Sequence, residues 1–262
     1  MSKSGNNSIL ALHDAIGFGD LDQLQLLIRD DGNLNAPDEN GCTPLIWAVA
    51  EERFNMVHML LDSGADPQTQ NHQGMAPLHF CALLNTPSIA ALLIKNGAKV
   101  NAIDLDLRTP LHMAAKRGAK KTAMVLINAG ANTNALDDNN RSPLHEAAKK
   151  GHMAIVKLLL ANNAQVDMLD DDEQRPLHEA AKKGHDRMVK VLIKAGANPA
   201  LPDNSGVTPL HEAAKKGHLS IAQRLINSGA PFDPRDNNNI TPLDEAKKKG
   251  HRTINTFLRA CH

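Results

Sequence analysis

An eight-residue sequence, HEAAKKGH, occurs three times in the chain, beginning at His145, His178 and His211. Two imidazoles, a carboxylate and two ammonium groups could form a metal site, an acid–base cluster or an anion-binding patch. A metal site is disfavoured, because the glycine inside the motif ends a helix between the two histidines and no CxxC or HExxH accompanies them. The motif is also copied once per structural unit, which favours a role for its histidines in folding.

Other signs of catalysis are equally weak. The cysteines, Cys42, Cys81 and Cys261, are far apart and lack a dedicated histidine and acid partner, and the phosphate-binding sequence GxxxxGK[ST] does not occur. We therefore expect no catalytic residues, no metal and no cofactor. An odd number of cysteines argues against a disulfide framework, and the first residues, MSKSGNNS, lack the apolar stretch of a signal peptide. These features predict a cytoplasmic protein in a reducing compartment, without a membrane span.

A repeat of constant length organises the chain. Prolines recur every 33 residues at Pro44, Pro77, Pro110, Pro143, Pro176, Pro209 and Pro242, and Ala11-Leu12-His13 replaces the proline tripeptide in an additional first unit. The period divides a single predicted domain, residues 1–262, into units at residues 5–37 (N-terminal cap), 38–70, 71–103, 104–136, 137–169, 170–202, 203–235 and 236–262 (C-terminal cap).

Local signals predict two helices in each unit. In residues 104–136, Thr109 is suited to cap a helix, Pro110 to begin it and Gly118 to end it, so a first helix is expected over residues 110–117. A second helix is expected over residues 120–128, followed by a turn rich in Asn, Asp and Gly. Helices this short do not persist alone in water and must stack on their neighbours. The predicted fold is an all-α repeat solenoid.

The residues Thr109-Pro110-Leu111-His112-Met113-Ala114-Ala115, followed by Gly118 and the sequence NAGANTNA, resemble the ankyrin repeat, and the resemblance covers residues 5–262. It implies stacked antiparallel helix pairs with projecting β-hairpin-like loops, a concave face made of turns and first helices, and a usual role in binding other proteins. It also implies that the first histidine bonds the Thr hydroxyl and adjacent backbone. Arg175 replaces this Thr in one unit, which puts the cap there in question.

A basic pair ends the first helix in five consecutive units. We name this set the basic ladder: Lys116, Arg117, Lys149, Lys150, Lys182, Lys183, Lys215, Lys216, Lys248 and Lys249. One interpretation is a solvated helix face on which Glu146 and its equivalents pair with lysines three or four residues later. The other is a surface for an acidic segment of a protein partner. Nucleic acid fits less well, because glutamates and the acidic turn at residues 170–173 oppose phosphate.

Charged and apolar residues are distributed unevenly along the chain. Residues 1–103 carry 5 basic and 11 acidic side chains, against 24 and 18 in residues 104–262. In the first four units, apolar side chains occupy first-helix positions that are mostly charged in later units, and further apolar residues flank them on adjacent turns. We name this set the apolar strip: Phe18, Trp47, Met75, Phe80, Leu83, Leu84, Leu105, Leu107 and Met113. These side chains either pack on their neighbours or form an exposed anchor for a partner.

Together these patterns predict a monomeric, non-catalytic scaffold or adaptor that binds a protein partner on its concave face. Two alternatives remain open at the level of sequence. The basic ladder could bind nucleic acid or anionic lipid, and the resemblance extends to effectors that intracellular bacteria deliver into host cells.

Overall fold

Helix pairs follow one another along the chain, as the repeat predicts. The computed structural model describes residues 3–30 and 33–261, and all regular elements in these ranges are helices. The first helices of the units are α1 (Lys3–Phe18), α3 (Pro44–Ala50), α5 (Pro77–Leu84), α7 (Pro110–Arg117), α9 (Pro143–Lys150), α11 (Pro176–Lys183), α13 (Pro209–Lys216) and α15 (Pro242–Lys249). The second helices are α2 (Leu21–Arg29), α4 (Phe54–Asp62), α6 (Pro87–Lys95), α8 (Lys120–Asn128), α10 (Met153–Ala161), α12 (Asp186–Lys194), α14 (Leu219–Asn227) and α16 (Arg252–Ala260).

The local helix signals account for these bounds. Helices α7 and α8 cover the residues predicted for them, because proline begins the first helix and Gly118, with φ of 75°, ends it in the left-handed conformation. In the first unit, Ala11 stands at the position where a proline begins the first helix of the later units. Helix α1 of this unit begins at Lys3, since no proline stands at Ala11 to interrupt the backbone hydrogen bonds of a longer helix.

The helices group into two compact halves, an N-terminal half of residues 1–132 and a C-terminal half of residues 133–262. In the N-terminal half, α1, α3, α5 and α7 pack in sequence, as do α2, α4, α6 and α8. In the C-terminal half, α9, α11, α13 and α15 pack in the same way. The core of each inner unit contains the leucine after the proline, which is 0–1% exposed in Leu45, Leu78, Leu111, Leu144, Leu177 and Leu210. Burial therefore depends on the neighbouring units.

The first histidine of HEAAKKGH joins consecutive units. Nδ1 of His145 accepts the backbone N–H of Ser142 at 3.1 Å and lies 2.9 Å from the Ser142 hydroxyl. Because Nδ1 accepts a hydrogen bond, Nε2 carries the ring hydrogen and donates it to the carbonyl of Gln174, 3.1 Å away in the next unit. The ring is thus neutral and bonded on both sides. This arrangement confirms the structural role implied by the ankyrin resemblance.

The unit with Arg175 at the cap keeps most of this arrangement. Nδ1 of His178 still accepts the backbone N–H of Arg175 at 3.1 Å, and Nε2 lies 3.1 Å from the carbonyl of Val207. Only the hydroxyl contact is missing, because arginine has no hydroxyl. The long side chain instead donates through Nη1 to the carbonyl of Pro202 at 2.8 Å. The cap is therefore retained through the histidine.

The second histidine of the motif is structural as well. Nε2 of His185 lies 3.3 Å from the carbonyl of Lys149, and Nε2 of His251 lies 3.0 Å from the carbonyl of Lys215. These carbonyls belong to the last turn of the preceding first helix, where no intrahelical donor is available to them. Gly184 has φ of 79°, and a Cβ added there would lie 2.7 Å from Cε1 of His218. The glycine therefore provides both the helix end and the space for the next imidazole.

The loops between units are compact turns and not paired strands. In the turn at residues 104–108, the backbone N–H of Asp104 donates to the carbonyl of Arg108 at 3.0 Å. Oδ1 of Asp104 accepts the N–H groups of Asp106 and Arg108 at 3.0 and 2.9 Å. Neighbouring turns are linked by single bonds, such as Leu105 N–H to Gln73 O at 3.1 Å. The side-chain bonds of one aspartate thus hold this turn without a sheet.

Candidate binding surfaces

The basic ladder lies in the last turn of the first helices, where positive charges interact favourably with the negative end of the helix dipole. The second residue of each pair is exposed, as are Lys116, Lys215 and Lys248. Lys149 and Lys182 are half-buried, with side chains 32% and 36% exposed. Most side chains of the basic ladder are thus accessible to solvent.

The glutamates beside the ladder pair differently from the prediction. Nζ of Lys149 lies 3.6 Å from Glu179, and Nζ of Lys182 lies 3.9 Å from Glu212. Both bridges run from one unit to the next, whereas pairs three or four residues apart within one helix were expected. The reason is that this glutamate position faces the preceding first helix, which leaves Glu179 and Glu212 only 5% exposed.

Arg141 forms a hydrogen-bonded ion pair with one of these glutamates, Glu179. Its Nη2 donates to Oε1 of Glu179, and its Nε lies 3.6 Å from Oε1 of Glu146. The side chains of Arg141 and Glu179 are 15% and 6% exposed. Burial alone would raise the pKa of Glu179, but the hydrogen bond and charge of Arg141, together with Lys149 and Lys182, hold this pKa below its usual value. Arg141 therefore links two adjacent units through a largely buried ion pair.

The apolar strip divides into buried, half-buried and exposed members. Phe18, Leu84, Leu105 and Leu107 are exposed by 86%, 39%, 73% and 45%. Trp47, Phe80 and Leu83 are half-buried, whereas Met75 and Met113 are only 6% and 4% exposed. The structure thus contradicts the prediction for Met75 and Met113 as surface anchors. Met113 occupies the repeat position of Glu179, which the adjacent first helix covers, and Met75 belongs to the closed base of its turn.

Trp47 packs on its neighbours. Its Nε1 donates to Oδ2 of Asp38 at 2.9 Å, and its ring centroid lies 5.5 Å from that of His13 in the preceding unit. The indole N–H is thus satisfied within the N-terminal half, as a partly buried tryptophan requires. For Trp47, packing on neighbouring residues therefore describes the structure better than a free anchor does.

Leu107 combines exposure with an unfavourable backbone conformation. Its φ is 55°, in the left-handed region, where the equivalent residues Gly41 and Gly74 have φ of 79° and 73°. A residue with a side chain pays about 1 kcal/mol there, and leucine lacks the local hydrogen bond that Asn can form. At 45% exposure, nearly half of the side chain remains in contact with water. The sequence already contains this signal, since Leu107 aligns with glycines in the two preceding units, but the sequence analysis missed it.

The turn that presents Leu105 and Leu107 is held in place by charge. Nε of Arg108 donates to Oδ2 of Asp104 at 2.9 Å, and its Nη2 lies 2.6 Å from Oδ2 of Asp106. Asp104 is 3% exposed, so this pair is anchored at the base of the turn. The two leucines are therefore displayed on a turn with a defined conformation.

A constant 33-residue period of helix pairs, joined by tight turns and by bonds between units, defines a helical repeat protein. The family model described as ankyrin repeats (3 copies) matches residues 2–71, 67–137, 111–203 and 177–262. The chain belongs to the ankyrin-repeat family, as its residues predicted. None of the helices among the described residues could span a membrane.

Several curated proteins are similar to part of the chain. It is 49% identical over 59 residues to the DNA-binding protein RFXANK of Homo sapiens, a match that covers 22% of this chain and 23% of that protein. It is 39% identical over 59 residues to Ankyrin repeat family A protein 2 of Homo sapiens, covering 22% and 19%. Protein phosphatase 1 regulatory subunit 27 of Mus musculus is 34% identical over 68 residues, covering 26% and 44%. The matched segments thus span less than half of each relative.

Proposed function

We propose that the protein is a non-catalytic adaptor that binds another protein through its first helices and turns. The observation that carries the proposal is the turn of Leu105 and Leu107, where two exposed leucines stand on a braced backbone and one of them is strained. The turn has positive φ at this position in other units too, as in Asn140 and Asn239, but leucine is an unfavourable residue for it, and residues held in such conformations cluster at functional sites. Membership of the ankyrin-repeat family and the word "regulatory" in the name of one relative support a binding role.

The exposed leucines would supply affinity. Leucine gains about 1.5–3 kcal/mol on full burial, so covering a side chain that is 73% or 45% exposed is worth about 1–2 kcal/mol. Leu84, at the end of α5, offers a further apolar contact on the same half. We expect a partner that brings apolar side chains to these leucines, because polar groups placed there would lose water without gaining hydrogen bonds.

The basic ladder would orient the partner. In the C-terminal half, Lys150, Lys183, Lys216 and Lys249 are exposed on successive first helices. A row of lysines with at least one exposed lysine per unit attracts an acidic segment, raises its rate of encounter and disfavours basic partners. We therefore propose a protein partner with an acidic segment.

Peptides selected from a display library on the immobilised wild-type protein provide the test. The affinity of a selected peptide is measured by fluorescence polarisation for wild type, Leu105→Asp, Leu107→Gly and the control Leu169→Asp. Leu169 is a comparably exposed leucine, 42% accessible, in another turn. We expect the two test variants to bind about 5- to 30-fold more weakly, in line with about 1–2 kcal/mol, and Leu169→Asp to bind as wild type does.

Leu107→Gly protects the test against a trivial loss of fold, since relief of the left-handed strain should leave this variant at least as stable as wild type. Equal affinity of all the variants would refute the leucine surface. The basic ladder also allows nucleic-acid binding, as the name of the relative RFXANK suggests for that protein. Retention of a labelled DNA duplex that falls steeply with salt and is lost in Lys183→Glu/Lys216→Glu would favour that function instead.

A further inference from the structure

Two carboxylates of the C-terminal half have an oxygen without a donor. Glu212 is 5% exposed, and its Oε1 lies 3.9 Å from Nζ of Lys182, beyond hydrogen-bond distance. Oε2 of Glu212, and likewise Oε2 of Glu245, is buried without a hydrogen-bond partner among the described residues. A buried acceptor that lacks a donor costs stability, so two of them at one repeat position require an explanation.

Glu179 occupies the same repeat position one unit earlier and has the missing donor. Nη2 of Arg141 donates to Oε1 of Glu179, and Nζ of Lys149 lies 3.6 Å from the same oxygen. Arg141 is the residue immediately before the Ser that caps α9. The chain thus contains one complete copy of the arrangement, in which a guanidinium group and an ammonium group share a buried carboxylate.

The later units lack this guanidinium group. Gln174 stands at the position of Arg141 in the unit that faces Glu212, and its side-chain amide donates to Oδ2 of Asp203 at 3.3 Å. Val207 stands at the same position in the unit that faces Glu245 and has no side-chain donor. The ammonium group is retained opposite Glu212, as Lys182, so the Glu212 site differs from the complete one by the absence of an arginine.

We propose that Glu212 and Glu245 form a binding site for arginine side chains of the partner, each guanidinium group taking the place that Arg141 takes at Glu179. This inference rests on the proposed function only in that the arginine belongs to a partner protein. A guanidinium group suits the site better than a second ammonium group, because its planar fork bonds a carboxylate in two directions and it is weakly hydrated.

The lysines around the site do not exclude an arginine. Lys182 and Lys215 hold the repeat positions relative to Glu212 that Lys149 and Lys182 hold relative to Glu179, and Glu179 bonds Arg141 although both of its lysines act on it. The partner segment is thereby specified further. It carries an arginine for the buried carboxylate, next to acidic residues that meet the exposed Lys183 and Lys216.

The site can be tested with a defined probe, N-acetyl-arginine methylamide, titrated into the full chain labelled with ¹³C at glutamate. NMR then reports the side-chain resonances of Glu212, Glu245 and Glu179 separately. We expect saturable shifts at Glu212 and Glu245 and none at Glu179. The neutral isostere N-acetyl-citrulline methylamide should give no such shifts, because it lacks the charge that the carboxylate selects.

Two variants provide matched controls. Gln174→Arg supplies the guanidinium group from within the chain and should abolish the arginine shifts at Glu212 while those at Glu245 persist. Arg141→Ala removes the internal arginine and should create arginine-dependent shifts at Glu179. Absence of shifts at Glu212 in the wild type, equal shifts with citrulline, or unchanged shifts in Gln174→Arg would each overturn the proposal. None of these outcomes bears on the leucine surface, whose failure is measured independently with the Leu105 and Leu107 variants.

Discussion

Mild acid should destabilise this protein through its buried histidines. Burial lowers the pKa of His145 and of His178 to about 4, although the carbonyl bonds of both rings oppose this shift. Each Nδ1 accepts a backbone N–H, so protonation would replace a hydrogen bond with two facing donors. His79 and His211 occupy the same repeat position, and burial lowers their pKa as well. The perturbation is a change from about pH 7 to about pH 5.

The change in the free energy of unfolding follows from the difference in proton binding between the folded and unfolded states. An unfolded chain binds a proton at each histidine with a pKa of about 6.5, whereas folded His145 and His178 bind it only near a pKa of about 4. Stability is therefore full above about pH 6.5 and is lost progressively as the pH falls toward about 4. At about pH 5 the loss is about 2 kcal/mol per histidine, or about 4 kcal/mol for the two. Typical domains have about 5–15 kcal/mol in total.

Urea unfolding followed by circular dichroism, at several pH values and constant ionic strength, measures this loss. The lowered pKa values of Glu179 and Asp244 place the titration of these carboxylates below the histidine range. His178→Asn is the control variant, because its amide can accept the cap N–H but does not titrate. This variant should lose about 2 kcal/mol less than wild type between about pH 7 and about pH 5. A flat stability profile in the wild type, or equal losses in both proteins, would refute the reasoning.

Three substitutions test individual interactions. Arg141→Ala should cost about 2 kcal/mol, less than for a fully buried pair because a lysine remains near Glu179. The cost should shrink in the Glu179→Gln background, so a double-mutant cycle should give a non-zero coupling free energy between the two residues. Leu107→Gly should raise the free energy of unfolding by about 0.5–1 kcal/mol, and a decrease would contradict the assigned strain. Gly184→Ala should cost more than Gly196→Ala, because only the first Cβ meets an imidazole, at 2.7 Å; equal melting temperatures would argue against this contact.

Helix positions were predictable because their signals are local. Proline, the preceding Ser or Thr and the following glycine lie within one unit, and they place α7 and α8 at the predicted residues. The same local logic explains the early start of α1, where the proline is missing. The repeat also indicated that the two histidines of HEAAKKGH are structural and not catalytic. The structure agrees, because histidines at both repeat positions bond backbone carbonyls of adjacent units.

The candidate surfaces were predictable only in part. Exposure of Lys150 and Leu105 follows from their positions at a helix end and in a turn. The burial of Met113 and the partners of Glu179 do not, because the atoms that cover them come from neighbouring units. Arg141 and Glu179 are 38 residues apart, and no pattern within one helix indicates that they meet.

The repeat, its caps and the family follow from the sequence alone, because they depend on backbone preferences and spacing within about 33 residues. Tertiary structure alone decided which charges are neutralised, which leucines remain exposed and which carboxylate oxygens lack a donor. Those properties depend on the distances between side chains of adjacent units, and stacking brings residues together that the sequence separates.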